Sequence, residues 1–160
     1  MVKVGIIGCG KIAQVRHIPE YLDNPNAKLT GLYDLNLQRA KDLAEKYNCK
    51  SYESVEEMLA DPEIDAVSVC VANHVHAEIT IAALKAGKHV LCEKPMATKL
   101  EDCQMMVDTA EQMGKKLMIG QIRDLPKLMQ KQENSSNMEI SVRFLLSKQH
   151  SDMAARKPGA

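Results

Sequence analysis

The fold is decided by one stretch near the start of the chain, Val4-Gly5-Ile6-Ile7-Gly8-Cys9-Gly10-Lys11-Ile12-Ala13. An apolar run enters a Gly-x-Gly-x-x-Ala loop, and a helix-like segment leaves it. Gly8 permits a tight turn, Gly10 keeps a Cβ away from an approaching pyrophosphate, and Ala13 lets the helix pack close to the strand. The free N–H groups at the helix start favour phosphate oxygens. The loop therefore predicts a dinucleotide site formed by residues 8–13, with Cys9, Lys11 and Ile12 among them.

Outward from this loop, residues 1–120 alternate between two kinds of segment. Apolar runs typical of buried parallel strands lie at residues 3–7, 28–33, 66–71, 89–92 and 116–119. Segments with helical patterns lie between them, at residues 12–22, 37–47, 54–60, 76–86 and 99–113. This alternation predicts an α/β fold, a doubly wound parallel sheet of the Rossmann type, over residues 1–120.

Composition excludes several classes of partner. The chain has 160 residues with 21 basic and 21 acidic side chains, so neither nucleic acid nor a membrane surface is an expected partner. No apolar stretch reaches the roughly 18 residues of a membrane helix, and the first strand leaves no room for a signal peptide. Five cysteines without a C-x-x-C pair indicate reduced thiols and a cytoplasmic protein. For Cys9, a filler of the loop is favoured over an oxidation-sensitive site.

A carboxylate follows the second predicted strand. Asp34 lies 24 residues after Gly10, where it can accept hydrogen bonds from the ribose hydroxyls of NAD and repel the 2′-phosphate of NADP. The alternative is an acid that only complements the dipole of the next helix. Arg39, about one turn further on, keeps NADP open as a cofactor.

Polar residues also follow the strand predicted at residues 66–71. Ligands of open α/β sheets lie beyond the carboxyl ends of the strands, so Asn73 is expected to contact the cofactor. His74 and His76 have the spacing of a metal pair, but no cysteine or carboxylate joins them at suitable spacing. We therefore predict no metal site, and we expect His76 to open the next helix.

The segment Glu93-Lys94-Pro95 directly follows a buried strand. Proline ends the strand, and the Lys94–Pro95 bond is a candidate for the cis form. At this edge of the sheet Lys94 is expected to be buried near the nicotinamide, where it can move the proton of a substrate hydroxyl. A surface Glu–Lys pair is an equally weighted alternative.

A longer signature surrounds that segment. It runs His76-Ala77-Glu78 and then Ala82-Ala83-Leu84-Lys85-Ala86-Gly87-Lys88-His89-Val90-Leu91-Cys92-Glu93-Lys94-Pro95. This pattern, with residues 1–121 around it, resembles the Gfo/Idh/MocA oxidoreductases. The resemblance implies an N-terminal Rossmann domain that binds NAD or NADP, and hydride transfer at a carbinol carbon of a sugar, cyclitol or related alcohol. It also implies that Lys94 is the catalytic or substrate-binding lysine and that Asn73 and Glu93 contact the cofactor.

The chain departs from the family after residue 120. The resemblance implies a second α+β domain that binds substrate, forms the usual oligomer interface and supplies an Asp/His pair, and we expect that domain to be missing here. Residues 121–160 form an atypical C-terminal tail, in which only residues 138–146 resemble a strand.

We hypothesise that this tail is read out of frame. In a shifted frame, residues 121–125 permit Asn-Gln-Arg-Leu, and the codons from Asp152 permit His-Gly-Gly-Pro-Glu-Thr-Trp; both resemble segments of the family. Two other classes of function stay open. The chain could be a non-catalytic dinucleotide-binding module, or a truncated product without independent function.

Overall fold

The structure is a computed structural model, and it describes residues 1–120. Within them, six parallel strands form one sheet in the order β3-β2-β1-β4-β5-β6. The strands are β1 Val2–Ile7, β2 Ala27–Tyr33, β3 Lys50–Ser51, β4 Ala66–Val69, β5 His89–Glu93 and β6 Leu117–Gly120. The predicted α/β class and parallel sheet are confirmed. The predictions made for residues 121–160 lie outside the described residues.

Helices connect the strands. They are α1 Ile18–Asp23, preceded by a π-helical segment Ala13–His17, then α2 Leu37–Tyr47, α3 Val55–Ala60, α4 His76–Lys85 and α5 Leu100–Gln112. A short 3₁₀ turn, Asn73–Val75, leads into α4. The start of α2 is capped by Asn36, whose side-chain oxygen accepts the Arg39 N–H at 3.1 Å. No helix within residues 1–120 has the length and apolar character needed to cross a membrane.

Three strands illustrate how the structure differs from the sequence-based prediction. Strand β3 was not predicted, because its two residues are too few for any periodicity to show. Strand β4 ends at Val69 instead of residue 71, because the chain turns there toward the 3₁₀ segment. Strand β5 continues to Glu93, one residue beyond the apolar run, because Glu93 still pairs with Gly120 of β6.

The core lies on both faces of the sheet. Neighbouring residues of β1 point to opposite faces, so Ile6 and Ile7 belong to different apolar clusters. Ile6 packs with Ala13, Ile18 and other residues of the first two β–α units, whereas Ile7 packs with residues of α3, α4 and α5. Burial on both faces explains why the strands read as continuous apolar runs.

The strand order places a topological switch beside β1. The chain runs from β1 outward through β2 and β3, then returns to add β4, β5 and β6 on the other side. In open parallel sheets, ligands bind at the carboxyl ends of the strands where the order reverses. The glycine loop leaves β1 at this point, with Asp34 on one side of it and Glu93 on the other.

Candidate functional site

Gly8 forms the turn at the end of β1. Its φ is +93°, a conformation that L side chains rarely adopt, and an ideal Cβ would lie 2.6 Å from the carbonyl oxygen of Cys70. Its N–H donates to the carbonyl of Tyr33 at 2.8 Å. Both the backbone conformation and the available space therefore require glycine at this position.

The outer side of the same loop is open. An ideal Cβ on Gly10 would have no heavy atom of another part of the chain within 4 Å, and Lys11 beside it is exposed. Ile12 is half-buried and Ala13 is fully buried against the sheet. The loop thus has the space that a pyrophosphate needs, above a helix packed closely on β1.

Asp34 holds the glycine loop and the start of α2 together. One carboxylate oxygen, Oδ2, accepts the Cys9 N–H at 2.7 Å, and Oδ1 accepts the Asn36 N–H at 2.7 Å. The Arg39 guanidinium lies 3.5 Å from Oδ2. A carboxylate oxygen has room for more than one donor, so ribose hydroxyls are compatible with these bonds. Asp34 therefore has a structural role in joining these two segments, and the ribose role stays a prediction.

The thiol of Cys9 lies in the core. Its side chain is fully buried, and burial together with the nearby Asp34 carboxylate raises the pKa of the Cys9 thiol to about 12. A thiol with this pKa is almost entirely protonated at neutral pH and is a poor nucleophile. Cys9 therefore fills space beneath the loop, and its backbone N–H contributes the bond to Asp34.

On the other side of β1, Glu93 lies at the end of β5 with its side chain 12% exposed. Its Oε1 is 2.8 Å from His17 Nε2, and its Oε2 accepts the backbone N–H of Lys94 at 3.1 Å. An ideal Cβ on the neighbouring Gly120 would lie 3.2 Å from Oε1, so glycine leaves room for this carboxylate. Glu93 is thus fixed within the protein beside Lys94.

His76 joins the segments that follow β4 and β5. The ring is buried, with Nδ1 2.7 Å from the carbonyl oxygen of Pro95 and Nε2 3.1 Å from that of Val71. A neutral imidazole has one N–H and donates to only one of these two carbonyls, whereas an imidazolium has two and donates to both. His76 is also the first residue of α4, as predicted, and the Lys94–Pro95 bond is cis, as expected.

Besides Lys11, two more of the predicted site residues are exposed. Asn73 lies in the 3₁₀ turn directly after β4, and Lys94 follows β5. The burial expected for Lys94 is therefore wrong for this structure, because the lysine lies beyond the strand end, where neighbouring elements do not cover it. His74 is exposed as well, and within residues 1–120 no group of three or more His, Cys, Asp or Glu side chains is arranged to hold a metal ion.

His17 is the site residue that sequence reasoning missed. It lies four residues after Ala13 on the helix that follows the glycine loop, and it is buried. A polar side chain on the face that also buries Ala13 was the available signal. Its partner Glu93 is 76 residues away in the chain, so only the folded structure shows the contact.

The candidate site consists of two groups of residues. The glycine-loop half consists of residues 8–13 and Asp34, and the lysine half consists of Asn73, His76 and residues 93–95. A sequence profile described as an oxidoreductase family with an NAD-binding Rossmann fold matches residues 2–121, three quarters of the chain. The chain belongs to the Gfo/Idh/MocA oxidoreductase family. Its described part is the NAD-binding Rossmann domain of that family.

Similar proteins of this family act on sugars. The chain is 41% identical over 120 residues to glucose-6-phosphate 3-dehydrogenase of Bacillus subtilis, covering 75% of this chain and 33% of that protein. It is 41% identical over 116 residues to D-glucoside 3-dehydrogenase of Escherichia coli, covering 72% of this chain and 33% of that protein. The chain therefore spans about a third of the length of these curated relatives.

A solved structure shows the same fold. A 3-ketoreductase from Actinomadura kijaniata, crystallised with NADP and TDP-benzene, superimposes with a TM-score of 0.72 and 34% identity. The match covers 74% of this chain and 37% of that enzyme. NADP is thus a cofactor of a Gfo/Idh/MocA relative with the same Rossmann architecture.

Proposed function

We propose that the chain forms the dinucleotide-binding part of a dehydrogenase that exchanges hydride between a nicotinamide ring and a carbinol carbon. The substrate class is a sugar, a cyclitol or a related alcohol, in line with the sugar dehydrogenases it resembles. One observation carries the proposal: the switch beside β1 brings the glycine-loop half and the lysine half to the same edge of the sheet.

In this proposal the glycine-loop half holds the adenosine and pyrophosphate of the cofactor. Residues 8–13 offer an open loop and a helix start to the pyrophosphate, and the space above Gly10 supports this assignment. Asp34 accepts hydrogen bonds from the adenosine ribose. Its position at the end of β2 and its fixed carboxylate support that role.

The lysine half then acts on the substrate. Bound NAD(P)⁺ supplies the acceptor for the hydride that leaves the carbinol carbon. Lys94 hydrogen-bonds to the substrate hydroxyl through Nζ and, in its neutral form, accepts the proton that the hydroxyl loses. Asn73 and Glu93 contact the nicotinamide side of the cofactor. The exposure of Lys94 at the strand end supports access of its Nζ atom to a substrate.

The cofactor preference depends on Asp34 and Arg39. The Asp34 carboxylate repels a 2′-phosphate, whereas the Arg39 guanidinium, 43% exposed and 3.5 Å from that carboxylate, can turn to bind one. We therefore expect the chain to prefer NADH and still to bind NADPH.

Calorimetric titration of NADH and NADPH tests these assignments. Asp34→Ala should weaken NADH binding about tenfold or more and NADPH binding less, because only NADH has the free 2′-hydroxyl. Arg39→Gln should weaken NADPH alone. A damaged loop would lower both affinities equally, so the ratio of the two affinities is the decisive readout. Equal NADH affinity in the wild type and in Asp34→Ala would remove Asp34 from the ribose role.

Turnover by the 160-residue chain is a separate question, since it spans about a third of its relatives. We expect cofactor binding with little or no oxidation of alcohols. A panel of hexoses, hexose phosphates and cyclitols, followed by NADH formation, measures this. Rapid turnover of any member would contradict the expectation.

For residues 121–160, we propose the shifted reading frame described above. The test is the nucleotide sequence across and beyond the Gln121 codon. An alternate frame that encodes further family-like sequence supports the proposal, and the absence of such a frame ends it.

A further inference from the structure

We propose that His17 is a positioning residue for Lys94: it holds the Glu93 carboxylate, and that carboxylate fixes the main chain at Lys94. The functional meaning of this arrangement rests on the proposed function, in which Lys94 meets the substrate. The arrangement itself is a matter of contacts within this chain.

The first contact links the helical segment that follows the glycine loop to β5. His17 ends the π-helical segment Ala13–His17, and its side chain is 6% exposed. Its Nε2 lies 2.8 Å from Glu93 Oε1. A buried imidazole that donates to a mostly buried carboxylate makes a strong, directional hydrogen bond. π-Helical segments are uncommon, and many of those that exist lie at functional sites. The position of His17 at the end of one agrees with this role.

The second contact links Glu93 to Lys94. The other carboxylate oxygen, Oε2, accepts the backbone N–H of Lys94 at 3.1 Å. No lysine or arginine side-chain nitrogen of residues 1–120 lies within 4.0 Å of this carboxylate, so His17 is its side-chain partner in that part of the chain. Gly120 leaves room for the carboxylate, since a Cβ at that position would lie 3.2 Å from Oε1.

The two contacts connect the helical segment that follows the glycine loop to the lysine half. Without His17, the Glu93 carboxylate would lose its buried donor and would move toward water to recover a hydrogen bond. Lys94 and the nicotinamide side would then lose their fixed position. The loop at residues 8–13 and Asp34 would keep their own hydrogen bonds, because none of those bonds involves His17 or Glu93.

Three variants test this connection. His17→Leu removes the donor at similar volume, and His17→Gln restores an N–H near the position of Nε2. Tyr21→Phe is the matched control, because it removes a part-buried hydrogen bond between the Tyr21 and Ser68 hydroxyls, one turn further on in α1, without touching Glu93. Thermal unfolding monitored by circular dichroism establishes that each variant is folded.

The first readout compares NADH with ADP-ribose, which lacks the nicotinamide. We expect His17→Leu to weaken NADH binding about tenfold and ADP-ribose binding less than twofold, since the loss falls on the nicotinamide side. His17→Gln should recover most of the NADH affinity, and Tyr21→Phe should leave the ratio of the two affinities unchanged. Equal weakening of both ligands in His17→Leu would show a general structural role and overturn the proposal.

The second readout needs no cofactor. Hydrogen exchange of the Lys94 backbone amide, measured by NMR, should be about tenfold faster in His17→Leu than in the wild type and in Tyr21→Phe. An unchanged rate in His17→Leu overturns the proposal. If the wild type binds neither NADH nor ADP-ribose, the proposed function fails, while this exchange rate still decides whether His17 positions Lys94.

Discussion

The glycine-loop half and the lysine half each contain a carboxylate with little exposure that accepts a backbone N–H. Asp34 accepts two of them, from Cys9 and Asn36, and its charged neighbour is a partly exposed arginine at 3.5 Å. Glu93 accepts one, from Lys94, and its other partner is a buried histidine at 2.8 Å. The first half is thus held by the backbone around it, and the second by side chains from distant elements.

This difference predicts different responses to mutation. In the glycine-loop half, the largest effects should come from backbone conformation and space. In the lysine half, they should come from loss of a buried donor that leaves its acceptors unpaired.

The largest effect is expected for Gly8→Ala. The positive φ is strained for alanine, and the Cβ would overlap the Cys70 carbonyl at 2.6 Å. We expect a loss of about 4 kcal/mol in the free energy of unfolding, measured in urea. Gly10→Ala is the control, because its Cβ meets no atom within 4 Å. It should change stability by less than about 1 kcal/mol while weakening NADH binding, and a large loss of stability there would contradict the open loop.

The next effect is expected for His76→Leu in the lysine half. This change removes the ring nitrogens that lie against the carbonyls of Val71 and Pro95, so at least one carbonyl loses a buried donor. We expect a loss of about 3 kcal/mol in the free energy of unfolding. His74→Leu, at an exposed position two residues earlier, should cost less than about 0.5 kcal/mol. If both changes cost the same, His76 does not hold these two segments together.

A smaller effect is expected for Asp34→Asn. The amide keeps one acceptor oxygen but turns its NH₂ group toward a backbone N–H, either that of Cys9 or that of Asn36. We expect a loss of about 2 kcal/mol in urea unfolding. Arg39→Gln should change stability by less than about 0.5 kcal/mol, because its pairing with Asp34 is long and partly exposed. Comparable losses would mean that the ion pair matters more than the backbone bonds.

The smallest effect concerns pH and lies away from both halves. Hydrogen bonds from Lys50, from the Glu63 N–H and from Tyr52 lower the pKa of Asp61 to about 2. A carboxyl whose pKa is lower when folded stabilises the fold above about pH 4, and this contribution is lost as the pH falls toward 2.

After solvent screening is allowed for, we expect Asp61 to contribute about 1 kcal/mol. Asp61→Asn should therefore reduce the loss of stability between pH 4 and pH 2, measured by urea unfolding at each pH. NADH affinity at neutral pH should stay unchanged. A steeper loss in the variant would reverse the assigned direction of the pKa shift.

The glycine-loop half could be predicted closely because its determinants are near one another in sequence. Gly8, Gly10 and Ala13 follow directly from a strand, and Asp34 directly follows the next strand along the chain. The prediction did not include the two backbone hydrogen bonds of Asp34, because they depend on how close the loop and the α2 start approach each other.

The lysine half was predicted in composition but not in arrangement. Glu93, Lys94 and Pro95 stood out because charged residues after a buried strand are unusual. The contact of Glu93 with His17 and the contacts of His76 with two carbonyls join residues from separate elements. No local pattern encodes such pairs, and the same lack of local information led to the wrong expectation that Lys94 is buried.

The sequence by itself determined the parallel α/β sheet, the dinucleotide loop and the family, since apolar periodicity and glycine spacing act over a few residues. Only the tertiary structure decided which buried groups satisfy one another. It placed Asp34 on the backbone of the glycine loop and His17 on Glu93. The physical reason is that a buried carboxylate needs donors wherever the packed strands bring them, and strand order, not distance along the chain, decides which donors are within reach.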